Sequence, residues 1–357
     1  MTHEAVVSGR GIFYGWPANN GAWSWDGGRT LLVGFTEGSF VEQPGHNIAG
    51  LTDLGDGYRS GLARSLDGGY TWSVEYPHPF VDNQTPAGML TTPLDLSADG
   101  LALRVIGTGY HGSKRPEGAF LVSQDCGVNW SGPYQLTALM DEPQLRGMHF
   151  TGRTAYLLLR DRLLLFAAAR PSSNGAGRDR AFVAQSTDGG LSFRFTGWIT
   201  PADVPFRSVM PAPVVLPDGR LVAALRRRDP DHPEAVCWID VTHSDDGGAT
   251  WASPQRVAET GPQNGNPPAL VQMPDGSLAC VYGDRSSGTM QMRLSRDSGV
   301  TWMPPRVLRD DFTPDRYGDM DFGYPRAWVN HSGQLVVAYY WADGGTPEQY
   351  IAVTIDG

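Results

Sequence analysis

Short apolar stretches alternate with polar turns along the whole chain, and one unit recurs six times. In the clearest copies, two apolar stretches flank an Asp-Gly or Ser-Gly turn, at residues 212–225, 269–282 and 328–340. Earlier copies centre on Asp26-Gly27, Asp99-Gly100 and Arg160-Asp161. Apolar segments rich in β-branched and aromatic residues around such turns are typical of β-hairpins. The pattern therefore predicts six hairpins in an all-β chain, with no helix of ten or more residues.

A second repeat lies between the hairpins, an octet with the pattern S-x-D-x-G-x-[TSN]-[WF]. Its five copies begin at Ser65, Ser123, Ser186, Ser244 and Ser295. The aspartate of such an octet can accept backbone N–H bonds in a tight turn, the glycine allows a positive φ, and the aromatic ring packs against strands. Five equivalent copies cannot all belong to one catalytic site, so we interpret these aspartates as structural.

Each octet closes a second hairpin, which gives four strands per unit. The octets begin 58, 63, 58 and 51 residues apart. Six such units predict one six-bladed β-propeller, a single domain over residues 1–357, with four-stranded antiparallel blades. The sixth unit has only its first hairpin and the segment 350–355, so it needs one more strand. We expect residues 5–13 to supply that strand and close the ring without an exposed sheet edge.

Five octets on six hairpins resemble the sialidase (neuraminidase) superfamily, in which the octet is called an Asp-box or BNR repeat. The resemblance covers essentially the whole chain, and segments 15–25, 265–269 and 321–326 resemble a bacterial branch described only as sialidase family proteins. It implies an active site opposite the Asp-boxes, where inner strands begin and second strands end. It also implies glycosidase chemistry without a cofactor.

Several site positions of the superfamily have counterparts in this chain. By resemblance, Arg226 and Arg285 bind the substrate carboxylate. Tyr324 takes the position of the nucleophilic tyrosine, and Glu37 matches an acidic residue of the first blade. The resemblance thus implies an exo-glycosidase that releases an acidic or modified sugar.

The chain also departs from the superfamily pattern. Trp16 stands in a Gly-Trp-Pro motif where the superfamily has the arginine of an Arg-x-Pro motif. Met210 stands where a glutamate activates the tyrosine, and a thioether cannot act as a base. The first-blade acid should follow Glu37 by a few residues, where the chain offers Glu42, His46 and Asp53. These departures argue against a standard sialidase reaction.

We call the side of the ring opposite the Asp-boxes, where the active site is expected, the mouth. The residue types expected there indicate an anion site. The chain is acidic, with net charge -10, yet arginines gather there, and guanidinium binds carboxylate in a bidentate fork. The remaining substrate-binding candidates are Arg170, Arg326, Trp16 and Asn266. A uronate or nonulosonate is the expected ligand class. For the arginines, the alternative is a solvated strand end paired with Asp229 and Asp231.

Two groups can move protons at this mouth. A phenol has a pKa near 10, so Tyr324 needs a neighbouring base or cation, for which Asp321 is a candidate. His46 lies on the long segment 36–62, and imidazole is the natural acid or base near pH 7. The alternatives are a packed strand tyrosine and a solvent-exposed loop histidine.

Three functions remain open at this stage. The first is a sialidase-superfamily glycoside hydrolase acting on an acidic oligosaccharide or polysaccharide. The second is a uronate-specific polysaccharide lyase, in which the same arginines neutralise the carboxylate while Tyr324 or His46 removes the α proton. The third is a non-catalytic carbohydrate-binding propeller.

The composition of the chain excludes several classes of partner and cofactor. The acidic balance argues against nucleic acid as a partner, and no apolar window is long enough for a membrane span. The eight histidines show no metal-ligand spacing, so neither a metal nor another cofactor is expected. No signal peptide is visible at the N-terminus, so a cytoplasmic location is the expectation, and the alternative is a secreted protein in its mature form.

Overall fold

The computed structural model describes residues 1–50, 58–81, 85–107, 117–173, 178–232, 234–262 and 264–357. Asp53 lies outside these residues. The described chain is an all-β, six-bladed propeller made of six antiparallel sheets. Its one α-helix is the four-residue segment α1 (Pro17–Asn20), and no described helix is long and apolar enough to cross a membrane. The predicted fold class is confirmed.

Strands within each blade follow chain order from the ring axis outward. Blade 1 contains β2 (Ile12–Gly15), β3 (Ala22–Trp25), β4 (Thr30–Ser39), β5 (Tyr58–Ser65) and β6 (Ser73–Glu75). Blade 2 contains β7 (Ala102–Ile106), β8 (Ala119–Ser123) and β9 (Ser131–Tyr134). Blade 3 contains β10 (Met148–Phe150), β11 (Tyr156–Leu158), β12 (Leu163–Pro171), β13 (Arg180–Ser186) and β14 (Arg194–Trp198).

The second half of the ring is more regular, with four strands in each sheet. Blade 4 contains β15 (Arg207–Val215), β16 (Leu221–Arg228), β17 (Cys237–Ser244) and β18 (Gln255–Gly261). Blade 5 contains β19 (Ala269–Gln272), β20 (Leu278–Asp284), β21 (Thr289–Ser295) and β22 (Arg306–Arg309). Blade 6 contains β23 (Gly323–Val329), β24 (Leu335–Asp343), β25 (Thr346–Asp356) and, outermost, β1 (Thr2–Val7).

The N-terminal strand closes the ring, as predicted, but over a shorter segment. Strand β1 pairs antiparallel with β25, with Thr2 opposite Ile355 and Ala5 opposite Ala352. Residues 8–11 then form a turn, and Phe13 belongs to β2, the inner strand of blade 1. The expected segment 5–13 was therefore wrong at both ends, because the closing strand begins at Thr2 and the turn assigns the end of the segment to blade 1.

Blade 2 departs from the four-strand unit. No regular strand forms between residues 85 and 101, where its inner strand was expected. Pro86 and Pro93 cannot donate to a sheet ladder. The Leu94 N–H instead donates to the Gly189 carbonyl of the blade 3 octet at 2.8 Å. This segment forms no inner strand and is held by the next blade and by a bridge between Gly88 and Tyr134 of β9.

All five octets form the same turn. In the first, the Ser65 hydroxyl donates to Asp67 Oδ1 at 2.8 Å, and the Gly69 N–H donates to Ser65 Oγ at 2.8 Å. The N–H and hydroxyl of Thr71 both donate to the Asp67 carboxylate. The copies at Asp125, Asp188, Asp246 and Asp297 repeat these bonds. Each aspartate is satisfied within its own turn, which supports the structural interpretation.

Candidate active site at the mouth of the ring

Three residues with unusual backbone conformations mark the mouth of the ring. Trp16, Met210 and Tyr324 have φ of 56°, 54° and 50° in the left-handed region. Each precedes a proline at the start of its blade, and the pairing of β15 and of β23 is interrupted where Met210 and Tyr324 lie. Residues other than glycine rarely adopt this backbone conformation, because it is strained, and strained residues are concentrated at functional sites. Three of the eight described non-glycine residues with positive φ thus lie at the mouth, each in a residue-proline pair at the inner strand of its blade.

Asp321 is the centre of a buried polar cluster at this mouth. Its Oδ1 lies 3.0 Å from His46 Nδ1 and accepts the Tyr340 hydroxyl at 2.5 Å. Arg285 Nη2 donates to the same oxygen at 3.5 Å. Burial alone would raise the pKa of the Asp321 carboxyl, but His46 and Arg285 lower it below its ordinary value. Although the carboxylate is only 2% exposed, the charges of His46 and Arg285 keep it ionised inside the protein.

His46 lies on the segment 40–49, which runs from β4 over the mouth. The Gln43 side chain donates to the His46 and Ile48 carbonyls, both at 2.9 Å. The imidazole meets the edge of Trp16 with ring centroids 5.2 Å apart. Burial alone would lower the pKa of His46, but the Asp321 carboxylate outweighs burial and raises it. His46 thus keeps its proton above the ordinary range for histidine.

Tyr324 is held against a guanidinium group. Arg226 Nη1 donates to the Tyr324 hydroxyl at 3.0 Å, and the same guanidinium lies 5.4 Å from the ring centroid. Arg226 is fixed from behind, because its Nε donates to the Asn264 carbonyl at 2.7 Å. Met210 Sδ lies 3.6 Å from Arg226 Nη1. A cation at this distance stabilises negative charge on the phenolic oxygen.

Arg285 and Tyr340 connect the two groups of residues. Arg285 Nη2 donates to the Tyr340 hydroxyl at 3.2 Å, and the rings of Tyr340 and Tyr324 lie 5.9 Å apart. Burial and the Asp321 charge raise the pKa of Tyr340 well above its ordinary value, so its hydroxyl keeps the proton that it donates. Contacts therefore run from His46 to Arg226 across blades 1, 6, 5 and 4. We call the set Trp16, His46, Arg226, Arg285, Asp321, Tyr324 and Tyr340 the mouth cluster.

Solvent reaches the members of the mouth cluster unequally. Tyr324 and Asp321 are each 2% exposed, whereas the His46 side chain is 29% exposed. The segment that carries His46 is tied down, since the Gly45 N–H donates to Asp319 Oδ2 at 2.6 Å. His46 is thus the outer member of the cluster, and Tyr324 the inner one.

Asn266 and Arg326 have other contacts than expected. Asn266 Oδ1 accepts the Tyr324 N–H at 2.8 Å, and its amide donates to the Phe322 carbonyl. It is fully buried and positions the strand that carries Tyr324. The Arg326 guanidinium lies inside the ring, where its Nη2 donates to the Ala18 and Thr154 carbonyls. Asn266 thus contacts the mouth cluster through the backbone of Tyr324, and the hydrogen bonds of Arg326 in the described residues go to backbone carbonyls outside that cluster.

Glu37 and Arg170 also lie in separate clusters. Arg59 Nη2 donates to Glu37 Oε1 at 2.9 Å, and the Tyr76 hydroxyl donates to Glu37 Oε2. On β4, the Thr36 hydroxyl accepts a hydrogen bond from Asn20 Nδ2 of α1. The next residue, Glu37, therefore points to the opposite face of the strand. Arg170 lies on β12, where its charge contributes to the lowered pKa of Asp179. Sequence position alone does not reveal which face of a strand a side chain occupies or which blade it meets, and for this reason the expected positions of Glu37 and Arg170 differ from the observed ones.

Two members of this neighbourhood were missed by sequence reasoning. Tyr340 lies near the end of β24, the second strand of blade 6, which is where the resemblance places site residues. Asn264 contributes a backbone carbonyl, for which residue type gives no signal. Among the described residues, no group of three or more His, Cys, Asp or Glu side chains is placed to hold a metal ion.

Comparison with known proteins agrees with this architecture. Residues 89–337 match the model of the BNR repeat-like domain, and the chain belongs to that family. Among solved structures, a protein of unknown function from Dyadobacter fermentans is 21% identical, with a TM-score of 0.72, over 99% of this chain and 97% of its own. No curated protein sequence matches the chain.

Two further structures share the fold at lower identity. The Hadza microbial sialidase Hz136 is 16% identical, with a TM-score of 0.60, over 96% of this chain and 65% of its own. An α-L-arabinanase from Penicillium chrysogenum, complexed with arabinobiose, is 15% identical, with a TM-score of 0.58, over 99% and 98% of the two chains. At these identities the likeness shows the shared propeller fold.

Proposed function

We propose that this BNR repeat-like propeller is a glycoside hydrolase that releases an acidic or modified sugar from the end of a glycan. The observation that supports this most directly is the mouth cluster, in which four blades bring a histidine–aspartate pair beside a tyrosine–arginine pair. Propellers of the same fold include a sialidase and an arabinanase, which is consistent with a glycan substrate.

The proposed reaction uses Tyr324 and His46 in two steps. The Tyr324 phenolate, stabilised by Arg226, attacks the anomeric carbon while protonated His46 gives its proton to the departing glycosidic oxygen. A water molecule then displaces the tyrosine and returns one proton to His46, which restores both groups. Asp321 holds the imidazole and stabilises its charged form. The sugar is displaced twice at one carbon, so the product retains its anomeric configuration.

The charges of the mouth cluster favour an anionic substrate. Two guanidinium groups, those of Arg226 and Arg285, and the protonated imidazole of His46 accompany the single carboxylate of Asp321. The Asp321 Oδ2 atom is buried and has no hydrogen-bond partner in the described part of the chain. A substrate carboxylate near the guanidinium groups and a substrate hydroxyl on Oδ2 would satisfy both features. Entry of the sugar requires the segment 40–49 to move away from the cluster.

A screen of chromogenic glycosides tests the proposed activity. Sialosides, glucuronides, arabinofuranosides and rhamnosides are compared at pH 5 to 8, and we expect turnover of an acidic glycoside with retained configuration. Exchange of His46 for glutamine is expected to remove the alkaline fall in kcat/KM, because the raised pKa of His46 sets where the acid form is lost. His331→Gln, on the far face, is the matched control. Turnover of neutral glycosides alone would contradict the substrate class.

A uronate lyase is the second candidate, favoured by the same histidine–aspartate pair. An imidazole held by a carboxylate beside two arginines also suits removal of the proton α to a carboxylate. Lyase products contain a C4–C5 double bond that absorbs ultraviolet light, whereas hydrolase products do not. Glycan binding without either product would indicate the third possibility, a carbohydrate-binding propeller.

A further inference from the structure

The half of the central channel near the octets contains a cavity of about 250 Å³. Five blades each contribute one alanine to its wall, at Ala22, Ala155, Ala212, Ala269 and Ala327. Because these side chains end at Cβ, the ring axis stays open at this level. We call this cavity the axial pocket. It shares no lining residue with the mouth cluster.

Arg326 lines the axial pocket and separates it from the mouth. It also lines a constriction toward the mouth together with Met210 and Arg153. Its Nη2 donates to two backbone carbonyls, while its Nε is buried without a hydrogen-bond partner in the described residues. No described carboxylate forms an ion pair with it, and burial lowers its pKa to about 10. A half-buried guanidinium that is bound only to carbonyls in the described residues keeps an uncompensated positive charge, which an anion would balance.

Aromatic side chains supply further walls of the axial pocket. Trp23 and Tyr156 are tied together, since Trp23 Nε1 donates to the Tyr156 hydroxyl at 3.0 Å. Trp328 is 6% exposed, and its Nε1 has no hydrogen-bond partner in the described part of the chain. Trp328 lies two positions after Arg326 on β23, so both side chains extend from the same side of the strand. Both side chains therefore border one pocket, but Arg326 Nε and Trp328 Nε1 are themselves covered by protein atoms, so each side chain has to turn toward the pocket to donate to a ligand from that atom.

We propose that the axial pocket binds a small planar organic carboxylate, a function separate from glycoside hydrolysis at the mouth. The carboxylate would accept hydrogen bonds from Arg326 and Trp328, and the flat body would pack against Trp23 and the alanines. A cavity of about 150 Å³ accommodates benzene, so the axial pocket has room for a substituted ring with a carboxylate.

Benzoate, with benzamide as its uncharged isostere, tests the ligand class. Titration calorimetry on the intact chain is expected to give a Kd for benzoate in the millimolar range or below, and at least tenfold weaker binding of benzamide. Indole 1H–15N resonances are followed in parallel, and the Trp328 signal is expected to shift on addition of benzoate. Equal affinity for the two probes, or no binding of benzoate, would overturn the proposal.

Variants locate the bound probe. Arg326→Met is expected to weaken benzoate binding at least tenfold, and Ala22→Leu should do the same by filling the pocket. Trp328→Phe keeps an aromatic wall and is expected to weaken binding about threefold to tenfold, the loss of one hydrogen bond. Trp198→Phe, on the outer strand of blade 3, is the matched control. It and Tyr324→Phe should leave the affinity unchanged.

These variants also distinguish the axial pocket from the mouth. If Tyr324→Phe abolishes benzoate binding while Trp328→Phe does not, the probe occupies the mouth and the proposal is wrong. If Trp328→Phe still folds and binds benzoate unchanged, the pocket is also excluded. Failure of the glycosidase screen leaves the axial pocket proposal intact, since no step of hydrolysis uses Arg326 or Trp328.

Discussion

The two ends of this propeller are built in opposite ways. At one end, five octets repeat the same serine, aspartate and glycine with the same hydrogen bonds. At the mouth, equivalent positions of blades 1, 4 and 6 carry Trp16, Met210 and Tyr324, which share a left-handed backbone but no side-chain chemistry. Repetition marks what every blade needs in order to fold. Where equivalent positions carry different residues, each blade contributes a different side chain to the mouth.

The largest expected effect of a single substitution is at the mouth. Tyr324→Phe removes the proposed nucleophile and should lower kcat at least about 10³-fold, equivalent to roughly 4 kcal/mol at the transition state. Its free energy of unfolding should change by no more than about 1.5 kcal/mol, since one hydrogen bond with Arg226 is lost. Steady-state kinetics and urea titration measure the two quantities. Tyr70→Phe, on an octet, is the control and should retain full activity.

The next effect concerns a buried charge at the mouth. Asp321→Asn leaves Arg285 buried without its carboxylate and should lower the free energy of unfolding by about 3 kcal/mol. Asp311→Asn is the matched control, because Asp311 also pairs with an arginine but is 58% exposed. Exposed pairs contribute about 1 kcal/mol or less. Equal losses in urea titrations of the two variants would contradict this description of the mouth.

The octets should respond more weakly, and in the same way in every blade. Asp246→Ala removes the acceptor of the Thr250 N–H and hydroxyl and should lower the free energy of unfolding by about 1–2 kcal/mol. Asp188→Ala is expected to give a similar loss in blade 3. Neither variant should change kcat on the best substrate. An octet variant that lost activity without losing stability would break the distinction between the two ends.

The smallest effects should have opposite pH dependence at the two ends. Hydrogen bonds lower the pKa of Asp246 to about 2, so its contribution to stability is complete above pH 4 and is lost as the pH falls toward 2. The raised pKa of His46 has the reverse consequence, because its contribution is complete below pH 6.5 and is lost as the pH rises through the folded value. The dependence of stability on pH is measured as the thermal midpoint from pH 2 to 9, for the unchanged protein and for the variants Asp246→Asn and His46→Gln. Asp246→Asn should flatten only the acid slope, whereas His46→Gln should flatten the alkaline slope and also change the acid slope, because His46 lowers the pKa of Asp321.

The sequence predicted the fold well because the octet contacts are local. Ser65, Asp67 and Gly69 bond within four residues, so their spacing alone reveals the turn. Blade 2 was harder, because Leu94 is held by Gly189 in another blade. No local pattern records such a contact. Spacing thus predicts the elements that are stabilised within their own segment.

The mouth could be predicted only in part. The resemblance suggested Tyr324 and Arg226, and the loop position suggested His46; the structure brings all three into one cluster. Those contacts join residues 98 and 275 positions apart, so they depend on the register between blades. Glu37 has a suitable residue type, but strand alternation points it to the other face. The sequence gives the type of each residue, but it does not show toward which side of the closed ring the side chain of a strand residue points.

The pairing of β1 with β25 has a consequence for the order in which the molecule forms. Thr2 and Ile355 lie opposite each other, so this sheet joins the first and the last strand of the ring in order of synthesis. Until β25 is made, the first strand has no partner, and the growing blades form an open arc with an unpaired edge. Closing a loop of this length is slow compared with forming a hairpin. We therefore expect ring closure to be the final event of folding, and the nascent chain to need its first strand kept from pairing elsewhere until then.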